Sequence, residues 1–149
     1  MEFIIKSLVM KIFIILFSSL ILTINMNAQF DEDAKRLSQL SYMEKAHQVD
    51  CDSMMGTNFE SRICLNLEFQ RVDSILNVRF QSFVDRVEQI RLQEEFIDYH
   101  KTWIEHRRLI SETRSDGYRG HMLGISYLAS MIASTKARIE ELEHFLREY

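Results

Sequence analysis

The chain of 149 residues carries 18 lysines and arginines against 22 aspartates and glutamates, a formal net charge of -4, and 46% of its residues are hydrophobic. A net acidic chain lacks the concentrated basic surface that nucleic-acid binding requires, and its charged fraction of 27% is that of an ordinary globular protein. The absence of proline and the presence of only four glycines disfavour a β fold with many turns and favour long helices.

Residues 1–28 have the layout of a secretory signal peptide. Two lysines precede an apolar run from Ile12 to Ile24, and Ala28 offers a small residue for cleavage. The run is shorter than the roughly 20 residues that a bilayer span needs, which favours a cleaved signal over a retained membrane anchor. We therefore predict an exported protein, periplasmic or secreted, whose domain occupies residues 29–149 with no stable membrane span.

Cys51 and Cys64 are the only cysteines of the sequence, and both follow the signal. In an oxidising compartment such a pair predicts one structural disulfide. The competing interpretations are a redox pair, whose cysteines are usually separated by two residues, and a zinc site, which needs two further ligands nearby. The spacing favours the disulfide.

A first helix is predicted from Asp31 to Gln48, where apolar residues recur every three positions. Thr57 and Glu60 then match a T-x-x-E capping box, which marks the start of a second helix. The apolar stripe of this second helix runs from Leu65 to Ile90 in steps of three and four, so the helix is long or breaks near Arg91.

A third stripe runs from Leu92 to Ile110. The segment from Ser111 to Gly124 holds three of the four glycines and has no sustained period, so we predict the longest loop there, with Tyr118 and Met122 as candidate binding residues. A last helix carries a seven-residue apolar repeat that suits packing against another helix at a small crossing angle.

The predicted fold is all-α: a small bundle or hairpin of long helices with one disulfide. Its core is predicted from the stripes and contains Val72, Leu76, Phe80, Trp103, Ile132 and Ile139. Arg107 follows Trp103 by one helical turn, so we expect it beside the indole and paired with an acidic residue of a neighbouring helix.

No catalytic constellation is visible in the sequence, which has no G-x-S-x-G motif and no glycine-rich phosphate loop. The five histidines are scattered, and Glu140 with His144, four apart, fits a solvated helix face better than a metal site. We predict neither an enzyme nor a metal or cofactor site.

Several short motifs follow one another between Asp50 and Leu146. Their members include Cys51, Cys64, Leu76, Asn77, Trp103, Arg107, Gly124, Thr135 and Arg138. The order of the motifs resembles the lysozyme inhibitor LprI-like N-terminal domain, a family of exported bacterial proteins. Many members have a second cysteine pair where this chain has Ser111 and Ser130, a glutamine in place of His100, and an acidic residue in place of Arg108.

The resemblance implies an exported protein-binding module that inhibits lysozyme, without catalytic residues or a cofactor. Its partner is then a lysozyme or another envelope protein, and the motif residues have structural roles. The acidic chain also favours approach to a basic enzyme. The alternative is an envelope structural or assembly protein that self-associates through its long amphipathic helices, and the oligomeric mass distinguishes the two.

Overall fold

A computed structural model describes residues 32–53 and 56–148, so the predicted signal peptide lies outside the described residues. Within these ranges the regular secondary structure is entirely helical, which confirms the predicted all-α class. Helix α1 and a 3₁₀ helix precede three long helices, with these bounds: α1 Glu32–Ser38, the 3₁₀ helix Ser41–Gln48, α2 Asn58–Val84, α3 Ile90–Ser115 and α4 Gly120–Glu148. Short turns join the long helices, so neighbours in the chain run antiparallel.

The capping box at the start of α2 is confirmed. The Thr57 hydroxyl accepts from the Glu60 amide at 3.3 Å, and the Thr57 amide donates to the Glu60 carboxylate at 2.7 Å. These two bonds satisfy amides that the first turn of a helix otherwise leaves without partners.

Helix α2 is long, as predicted, but it ends at Val84 rather than near Arg91. The side-chain Nε2 of Gln93 donates to the carbonyls of Val84 at 3.3 Å and Val87 at 2.6 Å, and so caps the end of the helix from the start of α3. Apolar periodicity does not detect such a cap, because the residues beyond it continue the same stripe. Ile90, the last residue of that stripe, is exposed.

The core lies mainly between α2 and α4, with α3 packed against α4. Its largest apolar side chains come from all parts of this interface and are Ile63, Phe69, Leu76, Phe80, Leu128, Met131 and Leu142. Four of the six predicted core residues are buried: Val72, Leu76, Phe80 and Ile132. The prediction was wrong for Trp103 and Ile139, which are only half-buried.

The inner face of α3 is largely polar, and this explains why two sequence predictions for this region, the buried apolar stripe and the long loop, were wrong. Its buried residues are His100, Ile104, Arg107, Ser111 and Ser115. The helix is therefore rotated away from the predicted apolar stripe, and Tyr99 of that stripe is exposed. The predicted loop from Ser111 to Gly124 was also wrong, because α3 continues to Ser115 and α4 begins at Gly120.

The predicted first helix is interrupted. Helix α1 ends at Ser38, and Leu40 has an extended backbone before the 3₁₀ helix begins. The carbonyl of Leu37 accepts from the side-chain amide of Asn66 on α2 at 2.9 Å, which is one reason that the helix does not continue. The bend lets Leu37 pack into the core beside Leu128.

Candidate functional site

Two of the motif residues, Arg107 and Thr135, belong to a buried ion-pair network centred on Arg107. Its guanidinium donates to Asp73 on α2 at 2.6 Å, to Thr135 on α4 at 2.8 Å and to Asp33 on α1 at 3.0 Å. Arg107, Asp73 and Asp33 are each 1% exposed. The predicted pairing of Arg107 with an acidic residue of another helix is therefore confirmed, and one side chain ties all four α-helices together.

Asp33 is a member of this network that the sequence did not reveal. Besides Arg107, its carboxylate accepts from Arg108 at 2.7 Å and from Arg36 at 3.1 Å. Asp33 directly precedes the weak apolar stripe of α1, so no pattern marked it as buried.

Trp103 lies between the network and the surface. The guanidinium carbons of Arg107 and Arg138 lie 5.2 and 5.9 Å from its ring centroid, within cation–π range. Arg138, on α4, also lies 5.0 Å from the ring of Tyr99 and is 4% exposed. The motif residues Trp103, Arg107, Thr135 and Arg138 thus form one cluster, whereas Leu76 lies in the core of α2 and its neighbour Asn77 is half-buried.

His100 is buried against this cluster. Its ring stacks on Phe80 at 3.8 Å and lies 5.7 Å from the indole of Trp103. Burial, together with the positive charges of Arg138 and Arg107, lowers the pKa of His100 to about 3. The folded protein therefore holds a neutral imidazole throughout the range in which an ordinary histidine becomes charged.

The lowered pKa predicts a pH-dependent stability that H100Q abolishes. As the pH falls below about 6.5, His100 becomes protonated in the unfolded chain but stays neutral in the folded chain. The free energy of unfolding therefore decreases from that pH down to about 3. Between about pH 7.5 and about pH 5 the unfolding free energy of the wild type should fall by about 2 kcal/mol more than that of H100Q. Urea titrations of both proteins at the two pH values measure this difference, and parallel losses would contradict it.

Ser111 on α3 and Ser130 on α4 are in contact. Their hydroxyl oxygens lie 3.1 Å apart, and both residues are buried between α3 and α4. This hydrogen bond links α3 to α4.

Three exposed apolar side chains lie at the junction of α3 and α4. Tyr118, Met122 and Leu123 are 48%, 40% and 42% exposed, and we call this surface the turn end. Tyr118 lies in the turn itself, and Met122 lies in the first turn of α4. The sequence singled out Tyr118 and Met122 but missed Leu123.

The turn end is supported from α2. Phe59 meets His121 edge to face at 5.4 Å, and the disulfide between Cys51 and Cys64, which confirms the prediction, ties the preceding segment to α2. Gly124 leaves room for the Arg62 side chain of α2, which a Cβ at this position would overlap. The candidate surface therefore stands on helices and a disulfide rather than on a long loop.

Two features are absent from residues 32–53 and 56–148. No group of three or more His, Cys, Asp or Glu side chains is arranged to hold a metal ion. None of the described helices is both long and apolar enough to span a membrane.

Comparison with known proteins identifies one family. The family described as "Lysozyme inhibitor LprI" matches residues 50–142, which include the disulfide, α2, α3 and most of α4. No curated protein and no solved structure matches the chain. Helix α1, which supplies Asp33, precedes the matched region.

Proposed function

The chain belongs to the lysozyme inhibitor LprI family, and we propose on this basis that it is an exported protein-binding module that inhibits lysozyme. The signal-like residues 1–28 and the disulfide support export, since disulfides persist in oxidising compartments. The partner is then an enzyme met outside the cytoplasm.

The turn end is the observation that carries the proposal. Aromatic and methionine side chains are enriched at the centres of protein interfaces, and Tyr118, Met122 and Leu123 present three large apolar side chains within six positions. They project from the junction of two long helices, so little ordering entropy is lost on binding. A narrow tip of this kind suits insertion into the substrate cleft of an enzyme.

Charge supports the same partner. Without residues 1–28 the chain has 16 basic and 21 acidic residues. An acidic protein attracts a basic lysozyme during diffusional encounter, which raises the association rate at low salt.

The apolar stripes that suggested self-association pack against one another inside the molecule. Leu76 of α2 and Leu128 and Leu142 of α4 are at most 1% exposed, so these residues pack against other helices of the same molecule. This favours binding of a partner over assembly through the stripes.

We expect residues 29–149 to slow the lysis of bacterial cell walls by lysozyme at micromolar concentration, and Y118A/M122A to raise the inhibitory concentration at least tenfold. Each anchor of an interface contributes about 1–2 kcal/mol or more, and truncation of two exposed side chains leaves the fold intact. The matched control is V78A/L109A, which truncates apolar residues that are 60% and 59% exposed elsewhere.

The assay separates the function from its site. Absence of inhibition by the wild type, at low and moderate salt and across several lysozyme types, would reject inhibition for this chain. Equal inhibition by wild type and Y118A/M122A would keep the function and reject the turn end. Replacing the whole of residues 111–124 would not test the turn end alone, because Ser111, Ser115 and Gly124 are buried and their loss would disturb the packing of the helices.

A further inference from the structure

A groove of about 380 Å³ runs between α3 and α4, on the outer side of the Arg107 network. Trp103, Arg107 and Arg114 line it from α3, and Arg138 and Glu141 line it from α4. Its volume lies at the lower end of the range for small-molecule sites, so it suits a compact ligand better than a protein segment. The turn end is a different surface, and the groove needs an occupant of its own.

Arg138 is the residue in this groove whose polar groups are least satisfied. It is 4% exposed, its Nη1 donates to Glu141 at 2.6 Å, and its buried Nε has no hydrogen-bond partner. Arg107, which is 1% exposed, also has a buried Nε without a hydrogen-bond partner, but its two Nη atoms donate to three different side chains. A guanidinium has five N–H donors, and burying a cation without enough acceptors is costly. Arg138 therefore points to an acceptor that the chain itself does not supply.

Glu141 is a replaceable partner for Arg138. Its side chain is 47% exposed, and it reaches Arg138 from the next turn of the same helix. Water competes for the half-exposed Glu141 carboxylate, so this pair holds Arg138 less firmly than a fully buried carboxylate would. A carboxylate from a ligand can take the place of Glu141 and form the two-pronged pair that a guanidinium favours.

The other lining residues add positive charge and an aromatic wall. Arg114 is exposed and forms no ion pair among the described residues, so it is available to an anion. The carboxylates that balance Arg107 belong to Asp33 and Asp73, which are buried behind it. The half-buried indole of Trp103 offers apolar contact to the C–H groups of a ring.

We propose that this groove binds a carboxylated saccharide. The carboxylate pairs with Arg138 in place of Glu141 and is also attracted by Arg114, while the sugar ring lies against Trp103. This binding is independent of lysozyme inhibition and uses a separate face of the helices.

The test uses the fluorescence of Trp103, the sole tryptophan of the sequence, in residues 29–149. N-acetylmuramic acid and glucuronic acid should change the emission with a Kd of about 1 mM, and N-acetylglucosamine, which has no carboxylate, should not. Acetate should bind at least tenfold more weakly than either acid, because it lacks the ring. A glutamate-rich peptide, added in the same assay, tests whether the groove binds an acidic protein segment instead.

Two substitutions should act in opposite directions. E141Q removes the internal competitor and should tighten binding of the acidic saccharides about fivefold, and R114Q should weaken it about fivefold. E143Q is the matched control, because Glu143 is a half-exposed acid on the same helix that pairs with Arg79 instead.

A structural disturbance would weaken binding in every variant, so tightening by E141Q distinguishes the proposal from it. No emission change up to about 10 mM acidic saccharide, or an equal response to N-acetylglucosamine, would overturn the proposal. So would acetate or the acidic peptide binding as tightly as the acidic saccharides, or an unchanged Kd in E141Q.

Discussion

Replacing Arg107 with methionine should lower the free energy of unfolding by about 3–5 kcal/mol, a large share of the 5–15 kcal/mol that a domain of this kind has. Methionine keeps much of the volume but removes the positive charge between Asp73 and Asp33. Both carboxylates are 1% exposed, so water cannot replace the lost guanidinium. Removing one partner of a buried ion pair leaves an uncompensated charge, which is the costly case.

Two comparisons show whether charge is the cause. In R107M/D73N the second substitution removes the negative charge of the carboxylate that pairs with Arg107 at 2.6 Å, so part of the lost stability should return. R79M removes an arginine whose pair with Glu143 is half-exposed, and it should cost less than about 1 kcal/mol. Urea denaturation followed by circular dichroism measures all three variants. A loss below about 1 kcal/mol in R107M would show that the network does not stabilise the fold.

The apolar pattern predicted those parts of the fold in which the core is apolar. The stripe through Val72, Leu76 and Phe80 correctly identified α2, because each of these side chains is buried. The seven-residue repeat of α4 was equally informative. The Thr57–Glu60 cap also followed from local sequence, since its hydrogen bonds join residues three positions apart.

The pattern failed where polar side chains are buried by partners distant in sequence. The sequence around Ser111 predicts a loop, because nothing in it shows that Ser130 lies 3.1 Å away in the fold. Asp33 is likewise expected in solvent, because its partner Arg107 lies on a different helix. These contacts depend on tertiary structure, which a window along one helix does not contain. The same limit applies to the candidate sites: Tyr118 and Met122 were recognised as exposed residues, whereas the groove beside Trp103 needs two helices to exist.

Removing the disulfide with C51A/C64A should lower the free energy of unfolding by about 3 kcal/mol. The bond closes a loop between positions 13 apart, and in the chain-entropy account its loss gives the unfolded state more freedom. The helix content should persist, because α3, α4 and most of α2 lie outside the closed loop. Wild-type protein reduced by dithiothreitol is the control, and it should lose the same stability as the variant.

The same variant should also weaken lysozyme inhibition if the turn end is the binding surface. The closed loop includes Thr57, which caps α2, and Phe59, whose ring supports His121 beside Met122. Releasing the loop loosens this support while the Arg107 network still holds the long helices together. Circular dichroism should therefore report a folded protein at 25 °C, and the lysis assay should report a higher inhibitory concentration. Unchanged inhibition by a destabilised C51A/C64A protein would show that the turn end does not depend on the disulfide. Loss of helix content at 25 °C would show that the helical bundle itself depends on the disulfide.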